Sequence, residues 1–222
     1  YPIHSHTGRT VAFGARSLDP DERAKYLNSP DSPVYHKGRI LYGLWRARDA
    51  LRKAGTAVLV EGYMDVIALA QRGIQNTIAT SGTALTPEQG RLLRRYADRA
   101  VLVFDGDAPG AAAAGRGLAS LFEAEVETRI VSLTDGPDPD TFVQKHGPEA
   151  FLALAEKAEP AIDYLVRDIG RKEDLSTADG KVRAARQLAE YLSRVADEAR
   201  RRLMAEECAQ KVGVDPATFF QI

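Results

Sequence analysis

The middle of the chain alternates short continuous hydrophobic runs with segments of helical spacing. The runs "TAVLV", "NTIA", "AVLVF" and "RIVSL" contain almost no polar interruptions, and helical patterns separate them. Strands that are buried on both faces have this composition, and strand–helix alternation of this length is typical of parallel βαβ units. The pattern predicts an α/β fold with a central sheet of mostly parallel strands and flanking helices.

Two of the predicted helices have clear end signals. Thr86 is followed by Pro87 and, three positions after Thr86, by Gln89. This is the pattern of a capping box at the start of a helix. Gly73 follows the preceding helical segment and is expected to end it.

Both ends of the chain follow other patterns. Residues 1–54 combine a strand-like segment, "RTVAFGARSL", with a loop rich in Pro and Ser and a helix expected over 39–54. Residues 148–222 show helical patterns and no strand pattern. We therefore expect three parts: a short strand-containing basic segment (1–54), the α/β part (55–147) and a helical bundle (148–222).

Composition adds few constraints. The chain has 222 residues, 44% of them hydrophobic, and no apolar run of the ~20 residues that a membrane span needs. The single cysteine, Cys208, excludes an internal disulfide and suggests a reducing compartment, which we expect to be the cytoplasm. The chain begins at Tyr1 without a methionine, and we expect it to be part of a longer protein.

Charge is unevenly distributed although the net charge is only −1. Basic residues outnumber acidic ones between Arg9 and Lys53. This segment is either a solvated charged face or a surface that holds a polyanion.

Acidic residues follow three of the predicted strands. Glu61 follows the first strand, Asp105 and Asp107 follow the third, and Asp138 and Asp140 lie in "DGPDPD" after the fourth. Parallel strands bring their carboxyl ends to one edge of the sheet, where ligands of open α/β sheets bind. All five carboxylates are expected to converge there.

Convergence of these acids needs a compensating charge. Two unit charges about 4 Å apart repel by roughly 4 kcal/mol at an effective dielectric constant of 20. Oxygen ligands favour Mg²⁺ or Mn²⁺. The four histidines have no metal-ligand spacing with the acids: His4, His6, His36 and His146. The alternative is that "DGD" and "DGPDPD" are ordinary turns. Against it, Pro137 and Pro139 each restrict the residue before them toward extended geometry, and Asp138 and Asp140 are then expected to project to the same side.

These motifs carry a family resemblance. The segments "KYLNSPDSPVYHKGRILYGL", "LVEGYMDVIAL", "ATSGTALT", "VLVFDGDAPG" and "DGPDPDTFVQKHGPEAF" resemble, in order and spacing, the RNA-polymerase domain of bacterial DnaG-type primases, which has the Toprim fold. The resemblance covers roughly residues 1–160 well and the helical tail more loosely. It implies a Toprim-like sheet and the synthesis of short RNA primers on single-stranded DNA, from nucleoside triphosphates, during replication.

The resemblance also implies roles for individual residues. It assigns Mg²⁺ or Mn²⁺ to Glu61, Asp105, Asp107, Asp138 and Asp140, and the catalytic role to the first three. Whether Glu61 is a ligand or a general base stays open. The residues implied to bind nucleotide and DNA are Arg9, Lys25, Tyr26, Asn28 and Lys37. "TGR" at 7–9 departs from the Arg-Gly-Arg of many relatives.

Partners and alternatives follow from the same resemblance. The implied partners are the template strand, the primer and nucleoside triphosphates, with no membrane. The zinc-binding domain and the domain that binds the replicative helicase are both expected to be absent from this chain, so no zinc site is expected. The alternatives are another Toprim enzyme (a nuclease or topoisomerase), a phosphatase that uses an aspartate of "DGD", and a non-catalytic fragment that binds metal and single-stranded DNA.

Overall fold

The computed structural model of the chain describes residues 1–19, 26–80, 82, 84–104, 111–133 and 138–222, with the backbone alone at 111–114. The strands are β1 (Pro2–His4), β2 (Thr10–Arg16), β3 (Tyr26–Asn28), β4 (Thr56–Val60), β5 (Thr77–Ala79), β6 (Arg99–Phe104), β7 (Glu127–Ser132) and β8 (Glu159–Pro160). The helices are α1 (Leu44–Ala54), α2 (Tyr63–Gln71), α3 (Pro87–Arg94), α4 (Ala111–Glu123), α5 (Pro139–Glu156), α6 (Ala161–Gly170), α7 (Ala178–Leu192), α8 (Glu198–Val212) and α9 (Pro216–Phe220).

The central sheet has the order β5-β4-β6-β7-β8. The first four strands are parallel, and β8 pairs with β7 in the antiparallel direction. The predicted α/β fold with a mostly parallel sheet is confirmed. The strand β8 corrects the expectation that 148–222 contains no strand. It has only two residues, too few for a sequence pattern.

The central strands are hydrophobic at successive positions because both faces of the sheet are covered. Leu59 and Leu102 face a core formed with α1, α3, α4 and the C-terminal helices. Val58, Val101 and Val103 face a second core, which is formed with α2 and α5. Each face therefore has its own hydrophobic layer, as expected for parallel strands.

A smaller antiparallel sheet, β1-β2-β3, lies beside the central sheet. Its core consists of Ile3, Ala12, Tyr35 and Tyr63. Tyr63 belongs to α2, and its ring stacks on that of Tyr1 with 5.4 Å between the centroids. This contact joins the small sheet to the start of α2.

The first helix begins later than the sequence pattern predicts. It starts at Leu44 rather than at residue 39, and Lys37–Arg39 form a short 3-10 helix. Backbone N–H groups of Tyr42 and Ala79 donate to each other's carbonyl oxygens, at 2.8 and 3.0 Å, which holds the chain extended before the helix. Gly43 then turns it with a φ of 82°.

The end signals of two helices are confirmed. The Oγ1 atom of Thr86 accepts from the N–H of Gln89 (3.1 Å), and Oε1 of Gln89 accepts from the N–H of Thr86 (3.0 Å). Gly73 follows α2 with a φ of 90°.

The C-terminal part is a bundle of α6 to α9, which packs on the sheet through the first core. Helix α5 precedes it and is kinked at Gly147, which has a φ of 84°. Within the described ranges, none of the helices has the length and hydrophobicity needed to cross a membrane.

Candidate active site

The carboxyl ends of β4 and β6 lie at the point where the order of the strands reverses. The chain runs from β4 to β5 on one side, and then returns to place β6 on the other side of β4. Ligands of open α/β sheets bind in the crevice that such a reversal creates. Glu61 directly follows β4 and therefore stands at this crevice.

A cavity of about 500 Å³ opens at this edge between the two sheets. It brings together six of the residues that the sequence analysis singled out: Tyr26, Asn28, Lys37, Glu61, Asp138 and Asp140. Its other lining residues are Arg16, Gly62, Tyr63, Met64, Asp65 and Gly82. Acidic, basic and aromatic side chains thus share one cavity.

The remaining predicted residues are not among the described residues that line this cavity. Lys25, Asp105 and Asp107 lie outside the described residues. Arg9 is not among the lining residues. It follows the turn between β1 and β2, where the N–H of Ser5 donates to its carbonyl oxygen (2.9 Å) and Gly8 has a φ of 90°.

Asp138 and Asp140 lie at the start of a helix, not in an extended loop. Oδ1 of Asp138 caps α5 by accepting from the N–H of Thr141 (2.7 Å). Asp140 is in the first turn and accepts from Nε2 of Gln144 (2.6 Å). Asp138, which precedes Pro139, is extended as expected, with φ −149° and ψ 166°, and Asp140 lies in the helix. Pro139 at the first helical position favours the helix, because its fixed φ is already helical.

Asp65 is an acidic residue of the site that the sequence analysis missed. It is only 8% exposed, and its Oδ2 accepts from the N–H of Gly62 (3.2 Å). Burial, followed by the charge of Asp138, raises the pKa of Asp65 to about 6. The available signal was its position in the first turn of α2, where a carboxylate is favoured. Nothing in that pattern indicated its burial.

Glu61 is partly buried at the end of β4. Burial raises the pKa of its carboxyl group above the ordinary value. This carboxyl group therefore holds a proton more readily than that of an exposed glutamate does.

The opposite wall is basic and aromatic. Pairing of β2 with β3 sets Arg16 across from Tyr26, and the guanidinium carbon lies 5.6 Å from the centre of the tyrosine ring. Burial raises the pKa of Tyr26, and the nearby Arg16 partly opposes this shift. Arg16 was missed because its place at the site depends on the register between the two strands.

The donor set of the acidic wall fits a hard divalent cation. It consists of carboxylate oxygens, which Mg²⁺ and Mn²⁺ prefer. After burial, the negative charges of Asp138 and Asp140 contribute to the raised pKa of Asp65, so these carboxylates are close enough to repel one another. Within the part of the chain that the structure describes, no three His, Cys, Asp or Glu side chains have the spacing to hold an ion by themselves. Asp105 and Asp107 are outside that part.

Three family models match the chain. They are described as the DNA primase catalytic core, N-terminal domain (residues 1–48), as Toprim-like (58–143), and as the DnaB-helicase binding domain of primase (162–217). The last match corrects the expectation that a helicase-binding domain is absent. The C-terminal helices gave no sequence signal beyond their helical spacing, so the domain was not recognised.

Curated relatives are similar over nearly the whole chain. The DNA primase of Escherichia coli K12 is 39% identical over 217 residues, which is 96% of this chain and 37% of that protein. The DNA primase of Clostridium acetobutylicum is 36% identical over 223 residues, which is 100% of this chain and 37% of that protein. The chain thus spans little more than a third of the length of these relatives.

Solved structures share the fold. A DNA primase domain from Pseudomonas aeruginosa is 39% identical with a TM-score of 0.90, and the match covers 100% of this chain and 70% of that one. A DnaG primase catalytic domain bound to single-stranded DNA is 38% identical with a TM-score of 0.87, covering 98% and 70%.

Proposed function

The chain belongs to the family of bacterial DnaG-type DNA primases, and we propose that it is a catalytic-core part that joins nucleotides into short RNA primers on a single-stranded DNA template. The observation that carries this proposal is the cavity in which Glu61, Asp138 and Asp140 face Tyr26, Asn28 and Lys37. An acidic wall opposite a basic and aromatic one is what nucleotidyl transfer requires. It must hold phosphates and a base while a hydroxyl attacks.

The acidic wall is proposed to hold Mg²⁺ or Mn²⁺. We assign the ligands as Glu61, Asp105, Asp107, Asp138 and Asp140. Divalent cations at such a site supply charge stabilisation to the phosphate oxygens and lower the pKa of the attacking hydroxyl. The chemistry of the described carboxylates and the charge of Asp138 acting on Asp65 support this assignment.

The chain's own residues are proposed to bind and orient the substrates. Lys37 and Arg16 bind phosphates, and Lys25 and Arg9 contact the nucleic-acid backbone. Tyr26 is 45% exposed and offers a ring for a base to stack on.

A primer-synthesis assay tests the proposal. Glu61→Gln should abolish metal-dependent extension on single-stranded template and leave DNA binding within about twofold of wild type. Lys37→Ala should weaken DNA binding. It should also reduce the slope of log affinity against log salt concentration by about 0.7 for each phosphate contact that is lost. The matched controls are Glu156→Gln and Lys53→Ala, whose side chains are exposed on α5 and α1. Metal-dependent cleavage of the template without synthesis would favour the nuclease alternative.

We further propose that the C-terminal helices contribute to binding of the replicative helicase. The match of residues 162–217 to the helicase-binding family supports this. A primase acts on replicating DNA, so the proposal also implies location in the cytoplasm. Pull-down of purified helicase by this chain, compared with a chain ending after α5, tests the helicase contact.

A further inference from the structure

Three of the four histidines surround one small cavity on the far side of the 3-10 helix from the candidate active site. The cavity has a volume of about 220 Å³ and is lined by His4, Ser5, His6, Val34, His36, Arg39, Ile40, Leu41, Leu44 and Leu92. None of these residues is acidic. No sequence pattern indicated this cluster, because the histidines come from two segments that only the fold brings together.

Both segments that carry the histidines are held in place by local contacts. In the turn after β1, the N–H of Gly8 donates to the carbonyl oxygen of Ser5 (3.0 Å), and the Ser5 hydroxyl lies 2.8 Å from that of Thr7. His4 packs on Trp45 with 5.2 Å between the ring centroids. The imidazole of His4 therefore precedes a fixed turn, and that of His6 belongs to the turn.

The segment that carries His36 and Arg39 is fixed from two sides. Asp31 accepts from the N–H of Lys37 (3.1 Å) and lies 3.5 Å from Nδ1 of His36. On the inner side, Nε2 of Gln89 donates to the carbonyl oxygens of Lys37 (3.1 Å) and Ile40 (2.8 Å). Preorganisation of this kind lowers the entropy that binding must overcome.

A metal ion is not the ligand that fits. Among the described residues, which include all four histidines, no three His, Cys, Asp or Glu side chains are spaced to hold one ion. An anion fits better, because Arg39 is permanently charged and imidazole is the side chain that changes charge between about pH 5 and 8.

The surrounding charge also favours an anion. Several charged residues lie within about four positions, or one helical turn, of a lining residue along the sequence. They are Arg9, Asp31, Lys37, Arg46, Arg48, Glu88, Arg91, Arg94 and Arg95. Several of them are paired: Asp31 lies next to His36, Arg91 pairs with Glu88 and Glu123, Arg94 with Asp98, and Arg48 with Asp49. The lining itself contains Arg39 and no acidic residue, which favours an anion over a cation, and more strongly when the imidazoles are protonated.

The position of the cavity indicates the source of the anion. Lys37 lines the candidate active site, whereas His36 and Arg39, on either side of it in sequence, line this cavity. A volume of about 220 Å³ is below the ~300–1,000 Å³ of pockets that enclose a whole small molecule. It suits one phosphate of a strand that passes over the surface.

We propose that this histidine cavity binds a backbone phosphate of single-stranded DNA, and that the affinity rises as His4, His6 and His36 become protonated. The proposal rests on the proposed function, since the strand is the template that enters the active site. It adds a pH-dependent contact outside the site of the reaction.

The test measures, by fluorescence anisotropy, the affinity of a labelled oligo-dT for the chain at about pH 6 and at about pH 8. The ionic strength is the same at both pH values, and divalent metal is left out. We expect wild type to gain about threefold to tenfold in affinity at the lower pH, as two or three exposed charge contacts would give. His6→Asn with His36→Asn should lose most of this gain. His4 is left in place because it packs on Trp45.

Two further variants make the outcome decisive. His6→Lys with His36→Lys should bind at about pH 8 as tightly as wild type binds at about pH 6. His146→Asn, on α5, should keep the full gain. The proposal is overturned if the asparagine pair keeps the gain, if His146→Asn loses it equally, or if ATP competes for the pH-dependent part of the binding. If the asparagine pair keeps the gain in affinity while wild type makes primers, this inference alone is overturned. If wild type makes no primers, the proposed function is overturned.

Discussion

The hydroxyl of Tyr63, on the first turn of α2, donates a hydrogen bond to Oδ1 of Asn28 on β3. Tyr63 is 2% exposed and is also in edge contact with Tyr42, with 4.6 Å between the ring centroids. Asn28 lines the candidate active site on the basic side, and Glu61 precedes α2 on the acidic side. This pair therefore fixes the two walls of the cavity relative to each other.

Gly14→Ala should disturb this arrangement. A Cβ atom at position 14 would lie 2.7 Å from Cε2 of Tyr63, so the ring would have to move. We expect a loss of about 1–3 kcal/mol in the free energy of unfolding, as for other overpacked cores, and weaker nucleotide binding. Urea unfolding and nucleotide titration measure the two effects.

Gly117→Ala is the matched control. Its Cβ would meet Leu85 at an ordinary 3.8 Å, and the residue lies within α4. This change should stabilise the chain by about 0.5–1 kcal/mol, because alanine is favoured over glycine inside a helix. Equal changes in the free energy of unfolding and in nucleotide binding for Gly14→Ala and Gly117→Ala would contradict the role given to Tyr63.

Gln89→Leu should loosen the turn that carries Lys37. The side chain of Gln89 is fully buried and donates to the carbonyl oxygens of Lys37 and Ile40. Its loss leaves two half-buried carbonyl oxygens without their donor, at a cost of about 1–3 kcal/mol. DNA affinity should fall together with stability. Gln71→Leu, at an exposed position on α2, should change neither.

The pKa of Asp65 predicts a pH dependence of stability. The folded state holds the proton up to about pH 6, whereas an unfolded chain releases it near pH 4. The unfolded state therefore binds fewer protons in this range, and stability falls as the pH rises through it. Above about pH 6 this loss of stability is complete. A pKa shift of this size corresponds to about 1–3 kcal/mol in the free energy of unfolding.

Asp65→Asn should remove this loss. In buffer with a metal chelator, the variant should be more stable than wild type at about pH 8 and equal to it at about pH 4. Chemical unfolding across this pH range provides the measurement. Asp49→Asn, at an exposed position on α1, is the control and should follow wild type. A difference between Asp65→Asn and wild type that does not change with pH would show that the burial and charge described for Asp65 are wrong.

Local patterns were enough to predict the central sheet and several helix ends. The continuous hydrophobic runs of β4 and β6 follow from burial on both faces, and the capping box at Thr86 depends only on residues within one turn. The start of α1 could not be predicted this way. Pairing of Tyr42 with Ala79, distant in sequence, overrides the helical spacing before Leu44.

The candidate site was predictable where it follows the ends of strands. Glu61 and the pair Asp138 and Asp140 were placed by that rule together with the family resemblance. Arg16 was missed because only the β2–β3 register brings it to the cavity. The histidine cavity likewise depends on tertiary contacts that no short pattern contains.

The most direct measurement of the central claim is the anomalous scattering of Mn²⁺ in crystals of this chain soaked with the ion. We predict anomalous density in the cavity at the carboxyl edge of the sheet, bounded by Glu61, Asp138 and Asp140. Replacing Glu61 with Gln should reduce that density. Density confined to sites away from these carboxylates, in crystals where the cavity is open to solvent, would contradict the account.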